Sequence, residues 1–115
     1  MTLNCASELT AADHEEIVQF REVALRLGGD VVIAAPREDL PEACWVTEPR
    51  SPTGSAVWVV WRTEDRCIYA EHLYYPTLNR PFDGMAAFCA WITGVWREAA
   101  EARAVKALAG RVGGS

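Results

Sequence analysis

The sequence predicts an α+β fold: one two-layer domain in which a helix, about four short antiparallel strands and a long C-terminal helix follow in order, with both helices on one face of the sheet. Three observations carry this. Residues 10–29 place apolar side chains at helical spacing and end in Gly28-Gly29. Residues 30–76 break into short runs rich in β-branched and aromatic residues, separated by turns bearing proline or glycine. Residues 83–109 return to a helical pattern with one apolar stripe.

Thr10 opens the first helix as a cap, with Asp13 three residues on to complete a capping box. Ile17, Phe20, Ala24 and Leu27 recur on one side, with Val23 beside them. Glu22 and Arg26 form a favourable i,i+4 pair on the other side. Gly28 stops the helix, since glycine takes the left-handed conformation without penalty. "DVVIAAP" (30–36) is a strand ended by Pro36, and "ACWVTE" (43–48) is a second. "PRSPTGS" (49–55) is a loop long enough to make contacts of its own.

The stretch "AVWVVWRTEDRCIYAEHLYYP" (56–76) reads as a hairpin with apolar residues on both faces. A two-residue turn 64–65 or a four-residue turn 63–66 sets Arg62 opposite Cys67. Val57, Val59, Trp61, Ile68, Ala70 and His72 then share the face expected to meet the helices. Ala56, Trp58, Val60, Arg62, Cys67, Tyr69, Glu71 and Leu73 fall on the open face. A three- or five-residue turn flips one strand relative to the other. In the last helix, capped by Asp83, the core stripe is expected to be Met85, Phe88, Ile92, Val95 and Ala99, with Trp91 and Trp96 at its two edges. Its alanine-rich end, "EAAEARAVKALAG", favours helix locally and has little to bury.

The 115 residues suit a single domain, 1–115, with flexibility expected at 1–9 and 110–115. Half of the residues are hydrophobic and 23% are charged, which excludes a disordered chain. Apolar runs such as "AVWVVW" fall far short of the roughly 20 residues of a membrane span. The N-terminus has no basic segment followed by an apolar one, so a cytoplasmic protein is expected. Cys5, Cys44, Cys67 and Cys89 form no close pairs, and reduced thiols packing as small apolar groups are expected. The net charge of −5 is uneven: residues 1–50 carry four basic and ten acidic side chains, and residues 51–115 carry seven and six. An acidic surface repels phosphate backbones.

No motif announces chemistry. Neighbouring positions on a strand point to opposite faces, which separates Cys67 and Glu71 from His72. A nucleophile and its base need hydrogen-bond reach. The acidic groups Asp13, Glu15, Glu16 and Glu38, Asp39 lack the alternating ligands and central glycine of a calcium loop. Gly28-Gly29 follows a helix, whereas a phosphate loop precedes one. No cofactor or metal is therefore expected. The helix–strands–helix order resembles that of double-stranded-RNA-binding modules, and the resemblance ends there. Those modules open their last helix with lysines, whereas "RPFDGMAAF" offers only Arg80.

What remains is recognition of another protein, of a second copy, or of both. Trp, Tyr and Arg dominate interface energetics. The expected contact residues are Trp58, Val60, Arg62, Tyr69, Glu71 and Leu73, extended by Trp91 and Trp96. A small, acidic, cofactor-free binding module fits a stoichiometric inhibitor or an adaptor. Inhibitors of host defence made by phages and mobile elements, anti-CRISPR-like proteins among them, are one such class, and secretion chaperones are another. Two alternatives have other signatures. A single-stranded nucleic-acid binder would stack bases on sheet aromatics and depend on Arg62, Arg66 and Arg80. A small enzyme would centre on His72 with Glu71 or Tyr74.

Overall fold

The computed structural model describes residues 6–65 and 67–113, the last three as backbone only. Nine elements follow in chain order: β1 (Ala6–Ser7), α1 (Ala11–Leu27), β2 (Asp30–Ala34), β3 (Ala43–Thr47), β4 (Trp58–Thr63), β5 (Ile68–His72), a 3-10 turn (Pro76–Leu78), β6 (Arg80–Phe82) and α2 (Met85–Gly113). All strands are antiparallel, in the order β2-β3-β4-β5-β6. β1 pairs with the end of β4, Ala6 with Thr63 and Ser7 with Arg62. Both helices lie on one face, α1 over β2 and α2 over β5 and β6. This is the predicted α+β domain with six strands rather than about four. β1 and β6, of two and three residues, are too short to show any periodicity in the sequence.

Local chemistry sets the helix limits. Thr10 Oγ1 accepts from Asp13 N–H at 3.1 Å, and Asp13 Oδ2 accepts from Thr10 N–H at 2.9 Å, completing the capping box. Gly28 takes φ 95°, and the next residue must also be glycine, because a Cβ on Gly29 would lie 2.5 Å from Thr47 O. The first backbone bond of α2 runs from Phe88 N–H to Gly84 O, so the cap position is Gly84, not the expected Asp83. The far end of α2 extends as a solvent-exposed helix, drawing the molecule out to 59 Å by 25 Å by 21 Å.

The main core lies between sheet and helices. α1 contributes Ile17, Phe20 and Ala24, and α2 contributes Met85, Phe88, Cys89, Ile92 and Trp96. The expected stripe on α2 is rotated: Val95 and Ala99 are exposed, and Trp96 is core. Trp96 stacks on Phe20 with centroids 5.6 Å apart, and only α1 supplies that ring. Cys44, Cys67 and Cys89 are free thiols, and Cys5 lies outside the described residues. Burial pushes the Cys89 thiol up to about 12, with Glu16 adding to the shift, and raises Cys44 as well.

The hairpin register differs by one residue from expectation. Arg62 pairs with Ile68, Val60 with Ala70 and Trp58 with His72. The turn is a three-residue one closed by Thr63 N–H on Cys67 O at 2.8 Å. Thr63 Oγ1 accepts from Cys67 N–H and is bonded to the Asp65 carboxylate. This flips β4 and leaves β5 as expected: Trp58, Val60 and Arg62 face the helices together with Ile68, Ala70 and His72, while Val59 and Trp61 face outward.

Arg62 turns inward because Asp13 is there. Its Nε and Nη2 donate to Asp13 Oδ2 and Oδ1 at 2.7 Å and 2.6 Å, a bidentate pair in which the carboxylate is buried and the guanidinium partly so. Burial by itself would raise the Asp13 carboxyl, but the Arg62 hydrogen bond and charge, with the bonds from Thr10, hold it below its ordinary value. The Asp13 hydrogen bond raises Arg62 in turn.

Removing Arg62 takes both guanidinium bonds from a buried carboxylate, and removing the Asp13 charge takes its bidentate acceptor from a partly buried guanidinium. Asp13→Asn and Arg62→Met should each cost about 3–5 kcal/mol in urea unfolding, and the double variant clearly less than their sum. Additive losses would mean that the two side chains act independently. A carboxyl with a lowered folded pKa stabilises the fold above its unfolded value, about 3.9, and loses that contribution as pH falls through the folded value. Wild-type stability should therefore fall more steeply below about pH 4 than that of Asp13→Asn. Parallel pH profiles for the two proteins would contradict this.

Candidate functional site

The outward face of the sheet does not lie bare. Val59 and Trp61 are buried there, beneath Leu40 from the β2–β3 connection, Trp45, Tyr69, Leu73 and Ala6. Trp45 Nε1 donates to Ala34 O at 2.8 Å, which holds its ring across the sheet. Tyr69 packs edge-on against Trp61 with centroids 5.2 Å apart. The hairpin is apolar on both faces because each face contributes to a core, a main one under the helices and a thin one roofed by large side chains.

The eight expected contact residues are therefore dispersed. Trp58, Val60 and Trp96 are buried in the main core. Arg62 is clamped to Asp13, and Trp91 is half-buried against Trp58 and Phe82 with the Arg80 guanidinium 4.8 Å above its ring. Only Tyr69, Glu71 and Leu73 remain together on the outer face, all half-buried. One carboxylate oxygen of Glu71, Oε2, is buried there with no hydrogen-bond partner among the described residues. The misplacement of Trp58, Val60 and Arg62 has one cause, the one-residue shift of β4.

His72 is buried and organises the segment after β5. Its Nδ1 accepts from the backbone N–H of Tyr75 at 2.9 Å and of Tyr74 at 3.2 Å. That assigns the ring hydrogen to Nε2, which faces Glu48 Oε1 at 3.9 Å. Trp58 packs edge-on against the imidazole at 4.8 Å, and His72 N–H donates to Asn79 Oδ1 at 2.7 Å. Glu71 points to the opposite face of the sheet, and Tyr74 meets Nδ1 through its backbone. The acidic groups near the N-terminus do not converge either. Asp13 belongs to Arg62, and among the described residues no three His, Cys, Asp or Glu side chains are placed to hold a metal ion.

The clamped backbone presents three side chains outward. Tyr74 is 58% exposed, Tyr75 64% and Leu78 48%, within five residues of one another. The 3-10 turn is closed by Leu78 N–H on Tyr75 O and Asn79 N–H on Pro76 O, so this loop has a defined shape. Sequence reasoning passed over Tyr75 and Leu78 because "YYPTLN" carries no periodicity. The available signal was two tyrosines ahead of a proline directly after a strand. No family model, curated protein or solved structure matches the chain.

The clamp is testable by removing its acceptor while keeping its bulk. His72→Leu leaves two backbone donors without an acceptor and should destabilise the protein by about 1–3 kcal/mol. Amide exchange should speed up at Tyr74 and Tyr75 before it does so in β4. Unchanged exchange at these amides would show that Nδ1 does not hold the turn.

Proposed function

We propose that the protein is a non-catalytic protein-binding module, a stoichiometric inhibitor or adaptor, whose contact surface is the Tyr74–Tyr75–Leu78 turn continued by Leu73. The observation that carries this reading is the turn itself: large, amphipathic side chains exposed together on a backbone that His72 and Asn79 hold in place. Tyrosines are favoured at interface centres because they bring large contact area with few rotatable bonds. A pre-ordered loop also lowers the entropy lost on binding. The net charge of −5 favours a neutral or basic partner surface and disfavours nucleic acid. Phage or mobile-element inhibitors are one class of such proteins that fits this size and charge, and secretion chaperones are another.

The test uses the full chain as bait, alongside a Tyr74→Ser, Tyr75→Ser, Leu78→Ser variant. These side chains are exposed, so each substitution should change stability by no more than about 0.5 kcal/mol. A protein captured at a fixed ratio by the wild type and lost by the equally stable variant is the expected result. A partner retained by the variant overturns the assignment. So does tight, steeply salt-dependent binding of a single-stranded oligonucleotide.

A further inference from the structure

The two edges of the sheet are not alike. β6 closes one side with three residues, Pro81 in its middle and Arg80 beside it, features that stop an edge from accepting another strand. β2 closes the other side with five residues, "DVVIA", and contains neither proline nor a basic residue.

Which backbone groups β2 presents follows from the alternation of antiparallel bonding. Thr63 N–H bonds Cys67 O, so Thr63, Trp61 and Val59 of β4 bond towards β5; Val57, just before β4, gives its C=O to Leu73 N–H and its N–H to Val46 O. Trp58 and Val60 then bond towards β3, opposite Val46 and Cys44. That leaves Ala43, Trp45 and Thr47 to bond β2 at Ala34, Val32 and Asp30. Val31 and Ile33 accordingly turn their N–H and C=O groups away from the sheet. For Val31 this is visible directly, because its N–H donates to Asp30 Oδ1 at 2.8 Å.

We propose that β2 pairs antiparallel with β2 of a second copy of this chain, about a two-fold axis at Val32, joining two sheets into one. In that register Val31 opposes Ile33 of the second copy, twice over, and each such pair exchanges two N–H···O bonds. Val31 and Ile33 carry side chains on the helix side, so the helix layers of the two copies continue into each other. On the outer face Val32, half-exposed in the single chain, meets its own counterpart. Asp30 passes the Val31 N–H to Ile33 O of the second copy and keeps its contact with Arg21, 3.4 Å away.

One further feature supports a second copy as occupant. Beside the edge, α1 exposes Val18 and Leu25 on one stripe with Arg21 between them, and Val18 and Arg21 line a groove against Val31, Val32 and Ile33. The two-fold sets these stripes against each other, which removes isolated apolar side chains from water. The contact uses neither Tyr74 nor Tyr75 and stands or falls separately from the tyrosine turn.

Light scattering on the full chain in reducing buffer, over a concentration series, tests this. The mass should rise from the 12.7 kDa of one chain towards twice that value. Val32→Lys sets two like charges opposite each other, and Val18→Lys charges the helix stripe. Each should weaken association by about tenfold or more. Both positions are exposed, so folded spectra are expected in both variants. Val105→Lys, on the distant end of α2, should leave association unchanged. A wild-type mass of one chain at every concentration overturns the proposal. So does a dimer that the folded Val32→Lys and Val18→Lys variants retain, or one that only the loss of Tyr74 and Tyr75 disrupts.

Discussion

Asp13 and Arg62 lie 49 positions apart, and their contact connects most of what is particular to this fold. The aspartate caps the first helix through Thr10 and, with the same carboxylate, receives both arms of the guanidinium at the end of β4. A buried carboxylate is costly unless it is paired and hydrogen-bonded. Asp13 therefore requires the guanidinium of Arg62. Once Arg62 points towards α1, the two-residue period of a strand sends Trp58 and Val60 the same way and turns Val59 and Trp61 outward. The pair thus fixes the helix start, the orientation of β4, and the content of both cores.

Those two cores explain how a short sheet accommodates apolar residues on both faces. Beneath the helices, Trp58 lies among His72, Phe88 and Trp91 in edge-to-face or near-perpendicular contacts, the arrangement that aromatic quadrupoles favour. On the other face Trp45, Tyr69 and Leu40 roof Trp61 and Val59. No helix covers this second layer. Its roof mixes aliphatic side chains with Trp45 and Tyr69, and Trp45 Nε1 reaches a backbone carbonyl while its ring shields the strands. Among the described residues, the large apolar side chains left exposed lie at three other places: the turn after β5, the β2 edge with α1, and α2 from Val95 onward.

The first two of these are built differently, and the difference bears on what each can recognise. The tyrosine turn is irregular backbone made rigid by side chains, His72 Nδ1 and Asn79 Oδ1, and it offers aromatic surface of a fixed shape. The β2 edge is regular backbone whose Val31 N–H is occupied by the carboxylate of Asp30, and it offers main-chain groups in strand register. A shaped aromatic turn selects a complementary surface by packing. A strand edge selects another strand by hydrogen-bond geometry, and its own sequence decides whether a copy of itself will fit.

Local physics made much of this legible in the sequence. The Thr10–Asp13 capping box, the stop at Gly28, the four main strands and the helix–sheet–helix order all follow from propensity, spacing and turn chemistry acting over a few residues. The orientation of β5, with Ile68, Ala70 and His72 towards the helices, was legible for the same reason. Tertiary structure decided what depends on partners distant in the chain. Whether the 63–67 turn holds three residues or a neighbouring number is a small local difference, settled by Thr63 on Cys67 and by the burial of Arg62 against Asp13. Trp96 rather than Val95 became core because Phe20 supplies a ring for it to stack upon. The turn bearing Tyr75 and Leu78 became a surface because an imidazole from the preceding strand holds its backbone. In each case the deciding contact joins residues that no local pattern relates, or adds a hydrogen bond that hydropathy does not record.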